Sequence, residues 1–133
     1  MKKAIDTNIL VRYLMQDDER QTKIVLKLFE DTILQNTRLF VPAVVILETN
    51  WILYNVFNLD RTSIVKLFLE LMSLDVLDIE YTTVIHRCLS YAQTNTYDLS
   101  DLLIGAIAQA NDCDTTLTFD KKASKSDYFT LLT

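Results

Sequence analysis

Four short segments of this chain carry acids where an apolar run turns polar. Asp6 closes Lys3-Ala4-Ile5-Asp6, and Glu48 sits inside Val44-Val45-Ile46-Leu47-Glu48. Asp98 and Asp101 open Asp98-Leu99-Ser100-Asp101-Leu102-Leu103-Ile104, and Asp120 closes Leu117-Thr118-Phe119-Asp120. A lone carboxylate in apolar surroundings is costly unless something pairs with it. Several carboxylates meeting at the C-terminal edge of a parallel sheet suit a hard divalent cation such as Mg²⁺. That pattern points to phosphodiester chemistry.

Each acid also has an ordinary reading. Asp6 can be a helix N-cap or a turn residue. Glu48 can lie on a solvated helix face, but no Lys or Arg stands within one turn to pair with it. Asp98 can be an N-cap with Asp101 as its capping-box-like partner, one turn on and on the same face. The helix they open is almost wholly apolar, so its N-terminus is expected against the core, where the helix dipole favours ionised acids. Asp120 can be a turn residue beside solvated lysines. Independent caps need not share one edge of a sheet, whereas a metal site requires it.

The elements that must position these acids follow from periodicity. Lys2 to Ile5, Leu39 to Val41, Val76 to Ile79, Thr115 to Phe119 and Tyr128 to Leu132 read as short strands. Helical spacing runs from Thr7 or Asn8, expected to cap the first helix, through Leu14. A second helix opens at Asp17-Asp18-Glu19, with Ile24, Leu28 and Phe29 as its inner stripe and Val25 and Leu26 widening it. Further helices are read over Ala43 to Phe57, Thr62 to Leu74, Thr82 to Thr94 and Asp98 to Ala110. Strands separated by helices imply a mostly parallel sheet covered on both faces.

The chain's 133 residues, half of them hydrophobic, read as one domain spanning 1–133. One Gly and one Pro leave no room for a low-complexity linker. The net charge of −5 argues against a broad nucleic-acid grip, though bound cations would offset part of it. Arg12, Arg38, Arg61, Lys121, Lys122 and Lys125 remain as local phosphate contacts. Cys88 and Cys113 are expected as small core residues and His86 as a helix-surface residue. No signal-peptide run or membrane span is legible, so a cytoplasmic protein is expected.

Taken in order, the four segments resemble those of PIN-domain ribonucleases, most closely the VapC-type toxins of toxin–antitoxin pairs. Ile5-Asp6-Thr7-Asn8, Val41-Pro42 through Glu48-Thr49 and Trp51, Asp98 through Ile104, and Leu117 through Lys122 carry the resemblance over nearly the whole chain. It implies a three-layer α/β/α sandwich with a short, mostly parallel central sheet. It also implies endonucleolytic RNA cleavage dependent on Mg²⁺ or Mn²⁺, a cognate antitoxin and a homodimer. By position, Asp6, Glu48, Asp101 and Asp120 match the acidic quartet, with Asp98 as a supporting acid. Thr7 and Thr118 match polar positions near the site, and Arg12 or Lys121 could contact the RNA backbone. Two other readings stay open: a non-catalytic PIN-like scaffold, and a phospho-acceptor receiver-like domain. The receiver lacks its usual paired acids after the first strand, since Asp6 stands there alone.

Overall fold

The computed structural model describes residues 2–133. The chain divides into two compact units, Met1–Glu80 and Tyr81–Thr133. The first unit runs β1 (Lys3–Ala4), α1 (Thr7–Met15), α2 (Glu19–Leu34), β2 (Leu39–Val41), α3 (Ala43–Asn55), α4 (Arg61–Met72) and β3 (Leu77–Ile79). Its strands form one parallel sheet in the order β1-β2-β3, with Ala4 opposite Phe40 and Val41 opposite Ile79. The second unit holds α5 (Thr82–Ala92), α6 (Leu99–Ala110), β4 (Thr116–Thr118), a 3₁₀ turn (Ala123–Lys125) and β5 (Phe129–Leu131). Strands β4 and β5 pair parallel, Leu117 facing Thr130. The α/β class and the short parallel strands expected from the sequence are what the structure shows. The strands hydrogen-bond as a set of three and a set of two.

Strands this short cannot hold themselves together through backbone pairing, so side-chain burial carries the first unit. Leu39, Val41, Leu77 and Ile79 are buried in its sheet. Helix α1 buries Leu10 and Val11 and packs on α2 and α3, while α3 packs on α4. Tyr13 stacks on Phe29, ring centroids 4.7 Å apart, and joins α1 to α2. The inner face of α2 is Thr22, Val25, Phe29 and Thr32, a stripe at helical spacing. The expected stripe through Ile24 is therefore rotated, because Ile24 is 55% exposed. The hydroxyl of Thr32 turns back onto the Leu28 carbonyl at 2.7 Å, which lets a polar residue occupy the inner face. In α4 the buried set is Ile64, Val65, Phe68 and Leu71, as expected except that Val65 replaces Leu67.

Arg38 is committed to structure. Its guanidinium donates to the carbonyls of Asp75 (2.8 Å) and Leu77 (2.6 Å), tying the start of β2 to the approach to β3.

In the second unit α5 packs on α6. Ile85, Cys88, Leu89 and Ala92 line the inner face of α5. Cys88 is buried as expected, whereas Cys113 is exposed because it follows the turn that closes α6. In that turn Asp112 takes the left-handed conformation (φ 65°), a role glycine usually fills and Asp tolerates. His86 is exposed on α5. Among the described residues no helix is long and apolar enough to cross a membrane.

The chain's single glycine is required by close packing. A Cβ at Gly105 would lie 2.4 Å from Tyr128 Cβ and 3.0 Å from Phe129 Cε2. Alanine would gain about 1 kcal/mol of helix propensity, but overpacking a filled site costs about 1–3 kcal/mol. Contact at 2.4 Å with Tyr128 Cβ, an atom fixed to the backbone, places the cost near the upper end. Gly105→Ala is therefore expected to lower the urea midpoint by a net loss of about 1–2 kcal/mol. An unchanged or raised midpoint would show that Tyr128 can retreat.

Candidate active site

Asp6 follows β1 and opens α1. Its Oδ1 accepts the Ile9 N–H at 3.2 Å, so Asp6 itself is the cap expected of Thr7 or Asn8. Thr7 is instead buried in the first turn. The second carboxylate oxygen of Asp6 accepts no hydrogen bond from the described residues. Glu48 lies on α3, the helix that follows β2, and α3 packs on α1. Asp6 and Glu48 thus stand on packed helices that leave the C-terminal ends of adjacent parallel strands. Glu48 is exposed and makes no hydrogen bond or ion pair with any described residue. Its neighbours along the helix, Val44 and Trp51, are exposed apolar side chains.

Arg12 has other work. Its guanidinium pairs with Asp17, and its Nε donates to Gln21 at 2.8 Å, holding the end of α1 to the start of α2.

The second unit gathers three acids within electrostatic reach. Asp98 caps α6, its Oδ1 accepting the Asp101 N–H at 3.0 Å. Asp101 stands in the first turn of that apolar helix, half-buried, and its side chain accepts no hydrogen bond from the described residues. Burial raises the Asp101 carboxyl above its ordinary value, and the negative charges of Asp98 and Asp120 raise it further. Asp120 follows β4, and its Oδ1 accepts the N–H groups of Lys122 (2.9 Å) and Ala123 (3.1 Å). The Asp120 N–H in turn donates to Thr118 Oγ1 at 3.0 Å. Thr118 therefore sets the backbone of Asp120. The Lys121 side chain is exposed and pairs with none of the described acids.

One acid escaped the sequence reading. Glu80 directly follows β3, whereas Asp6 and Asp120 each stand two residues past the ends of β1 and β4. Its Oε1 accepts the Ala43 N–H at 2.9 Å, at the start of α3. An acid in the position after an apolar strand was the available signal.

A model of the PIN domain matches residues 3–127, nearly the full length. The chain belongs to the PIN domain family. PIN domains are generally nucleases, a family of hydrolases that generally use divalent metal ions. No curated protein matches the chain.

A divalent ion suits this PIN domain in donor chemistry and charge. The candidate donors are all carboxylates, the oxygen ligands that hard cations prefer. Asp101 is held where its own negative charge is unfavourable, and a cation would relieve that. The fit does not extend to a closed set: among the described residues no group of three or more His, Cys, Asp or Glu side chains is disposed to hold a metal ion.

The raised carboxyl of Asp101 has a consequence for stability. The helix dipole favours a first-turn carboxylate by about 0.3–1 kcal/mol, yet burial and repulsion outweigh it here. A carboxyl raised on folding contributes stability in full below its unfolded value of about 3.9. That contribution is lost as pH rises through the raised folded value. Asp101→Asn keeps the shape and removes the charge. In EDTA at pH 7 the variant is expected to melt above the parent, at roughly 2–4 °C per kcal/mol, with the gain gone near pH 3. A variant melting below the parent at pH 7 would refute the charge argument.

Proposed function

We propose that this PIN domain is a metal-dependent endoribonuclease. Asp101 carries the reading: an acid part-buried at the head of an apolar helix, raised by burial and by Asp98 and Asp120, inside a chain matched to a nuclease family. Asp6 and Asp101 would hold Mg²⁺ or Mn²⁺, with Glu48 and Asp120 completing the ligand set directly or through water and Asp98 in support. Such an ion, when bound, lowers the pKa of a coordinated water and stabilises charge on phosphate oxygens. The chain's own contribution is to present the carboxylates already fixed. Asp6 is held by the Ile9 amide and Asp120 by two amides, so each can keep its orientation while its second oxygen stays available. Thr118 steadies Asp120, and Thr7 sits buried beside Asp6. The exposed ammonium of Lys121 next to Asp120 is suited to an RNA phosphate. Arg12 could reach a phosphate by releasing Asp17.

The motif likeness to VapC-type toxins supports a more specific reading. The protein would be the toxin of a toxin–antitoxin pair, a homodimer acting in the cytoplasm and restrained by a cognate antitoxin. The exposed Val44, Trp51 and Tyr54 of α3 are the kind of apolar surface a protein partner covers. A second reading, a non-catalytic PIN scaffold that binds RNA or protein, draws support from the lack of a closed three-ligand group among the described residues.

Purified protein incubated with RNA in Mg²⁺, Mn²⁺ or EDTA separates the two. Cleavage is expected with either metal and not in EDTA. Asp6→Asn and Asp101→Asn are each expected to reduce it by roughly a hundredfold or more. Equal cleavage by parent and variants would assign the activity to a contaminant. No cleavage by the parent in either metal would favour the scaffold.

A further inference from the structure

Helix α3 begins without the usual support. Its N-cap position is Pro42, which offers no side-chain acceptor, and its first turn contains no acid. The first amides of a helix lack partners within the helix and need an outside acceptor. Glu80 supplies it from another strand. Glu80 donates its own N–H to the Val41 carbonyl at 2.9 Å, and its Oε1 accepts the Ala43 N–H at 2.9 Å. Val41 and Ile79 are register partners, so Glu80 is the next residue beyond the β2–β3 ladder. A single residue therefore grips the strand–helix corner on both sides of Pro42. Its carboxylate also lies at the positive end of the helix dipole.

This grip matters because packing specifies the rotation of α3 weakly. The inner face of the helix carries Val45, Ile46 and Leu53 beside the buried polar Thr49 and Asn50, and its outer face carries Val44, Trp51 and Tyr54, so the inner face is no more apolar than the outer one. A helix whose two faces differ little in hydrophobicity gains little from burying one rather than the other. A slip of one residue turns it by about 100° and would carry Glu48 to another face. Polar anchors discriminate where hydrophobic burial does not: Thr49 and Asn50 are buried mid-helix, and Glu80 holds the N-terminal end. Glu48 stands five residues after Ala43, about 7.5 Å along the axis, close enough to the anchored end for its direction to follow that end.

We infer that Glu80 is a positioning residue, which fixes the N-terminus of α3 and through it the direction of Glu48. The effect on cleavage rests on the nuclease reading; the effect on α3 does not. Trp51, the chain's one tryptophan, lies three residues beyond Glu48 and reports the helix by fluorescence. Glu80→Gln keeps an acceptor oxygen at full reach. Glu80→Asp keeps the charge but shortens the reach, and Glu80→Ala removes both. Asp60→Ala is the control, since Asp60 caps α4 through the Ser63 N–H at 2.7 Å and α4 carries no candidate acid.

The Ala and Asp variants are expected to change Trp51 emission and its acrylamide quenching. They should also lower kcat for RNA cleavage by about ten- to a hundredfold at unchanged KM. Glu80→Gln is expected to keep both near parental values, and Asp60→Ala to lower the thermal midpoint without moving either. Should Glu80→Ala fail to fold, the contrast between Gln and Asp decides. Parental emission in the Ala and Asp variants, a Gln variant as impaired as Asp, or an equal effect of Asp60→Ala would each overturn the inference. If the parent cuts no RNA, the nuclease reading fails and Trp51 still decides the role of Glu80.

Discussion

A carboxylate offers two oxygens, and much of this fold depends on lending one of them to its own backbone. Asp6, Asp18, Asp60 and Asp98 cap α1, α2, α4 and α6, and Glu80 reaches across to the head of α3. Asp120 closes the turn after β4 in the same way. Among the α-helices of the described residues, α5 alone starts otherwise, on Tyr81 in a left-handed conformation without a side-chain cap. Each such bond satisfies an amide that would otherwise be left unpaired, and each substitution by alanine at a cap typically costs about 1 kcal/mol. The same bond fixes the carboxylate in space. For Asp6, Asp98 and Asp120, capping and ligation are therefore compatible uses of one side chain.

That compatibility explains which parts of the candidate site were legible. An acid after an apolar strand or before an apolar helix is visible in one dimension, and Asp6, Asp98, Asp101 and Asp120 were singled out as candidates that way. The partner of each capping oxygen was not visible where it lay far along the chain. Glu80 and Ala43 are 37 residues apart and meet because β2 and β3 are parallel neighbours. Strand order has to be known before that pair can be found. The cations were opaque for the same reason. Arg38 reads from the sequence as a local phosphate contact, but it reaches carbonyls at Asp75 and Leu77. Lys2 pairs with Asp78 across the same sheet.

The elements themselves were legible because apolar spacing and breaks coincide. Errors came where hydrophobicity was not selective. In α2, Ile24 and Leu26 are as apolar as Val25 and Phe29, and the inner face was settled by threonines whose polar character misleads a hydrophobic count. Thr32 is tolerated there because its hydroxyl is satisfied by its own helix. Cys113 failed differently: it belongs to the turn after α6, and its small apolar character says nothing about which side of the chain faces water.

Asp101 is where local consistency breaks. The capping acids Asp6, Asp18, Asp60 and Asp98 are each held by an amide and the first-turn Glu19 is exposed beside Lys23, whereas the Asp101 side chain has burial and two like charges for company and no hydrogen bond from the described residues. A fold optimised for stability alone would place a neutral residue at this point, since nothing in the helix needs the charge. Conflicts between local preference and fold persist where something other than stability selects them. A carboxylate whose environment disfavours its charge has more to gain from a cation than one already satisfied by amides. Among the acids of the second unit, Asp101 is accordingly the one whose state a bound metal would change most, and Asp98 and Asp120, each steadied by the backbone, are the ones whose positions it would change least.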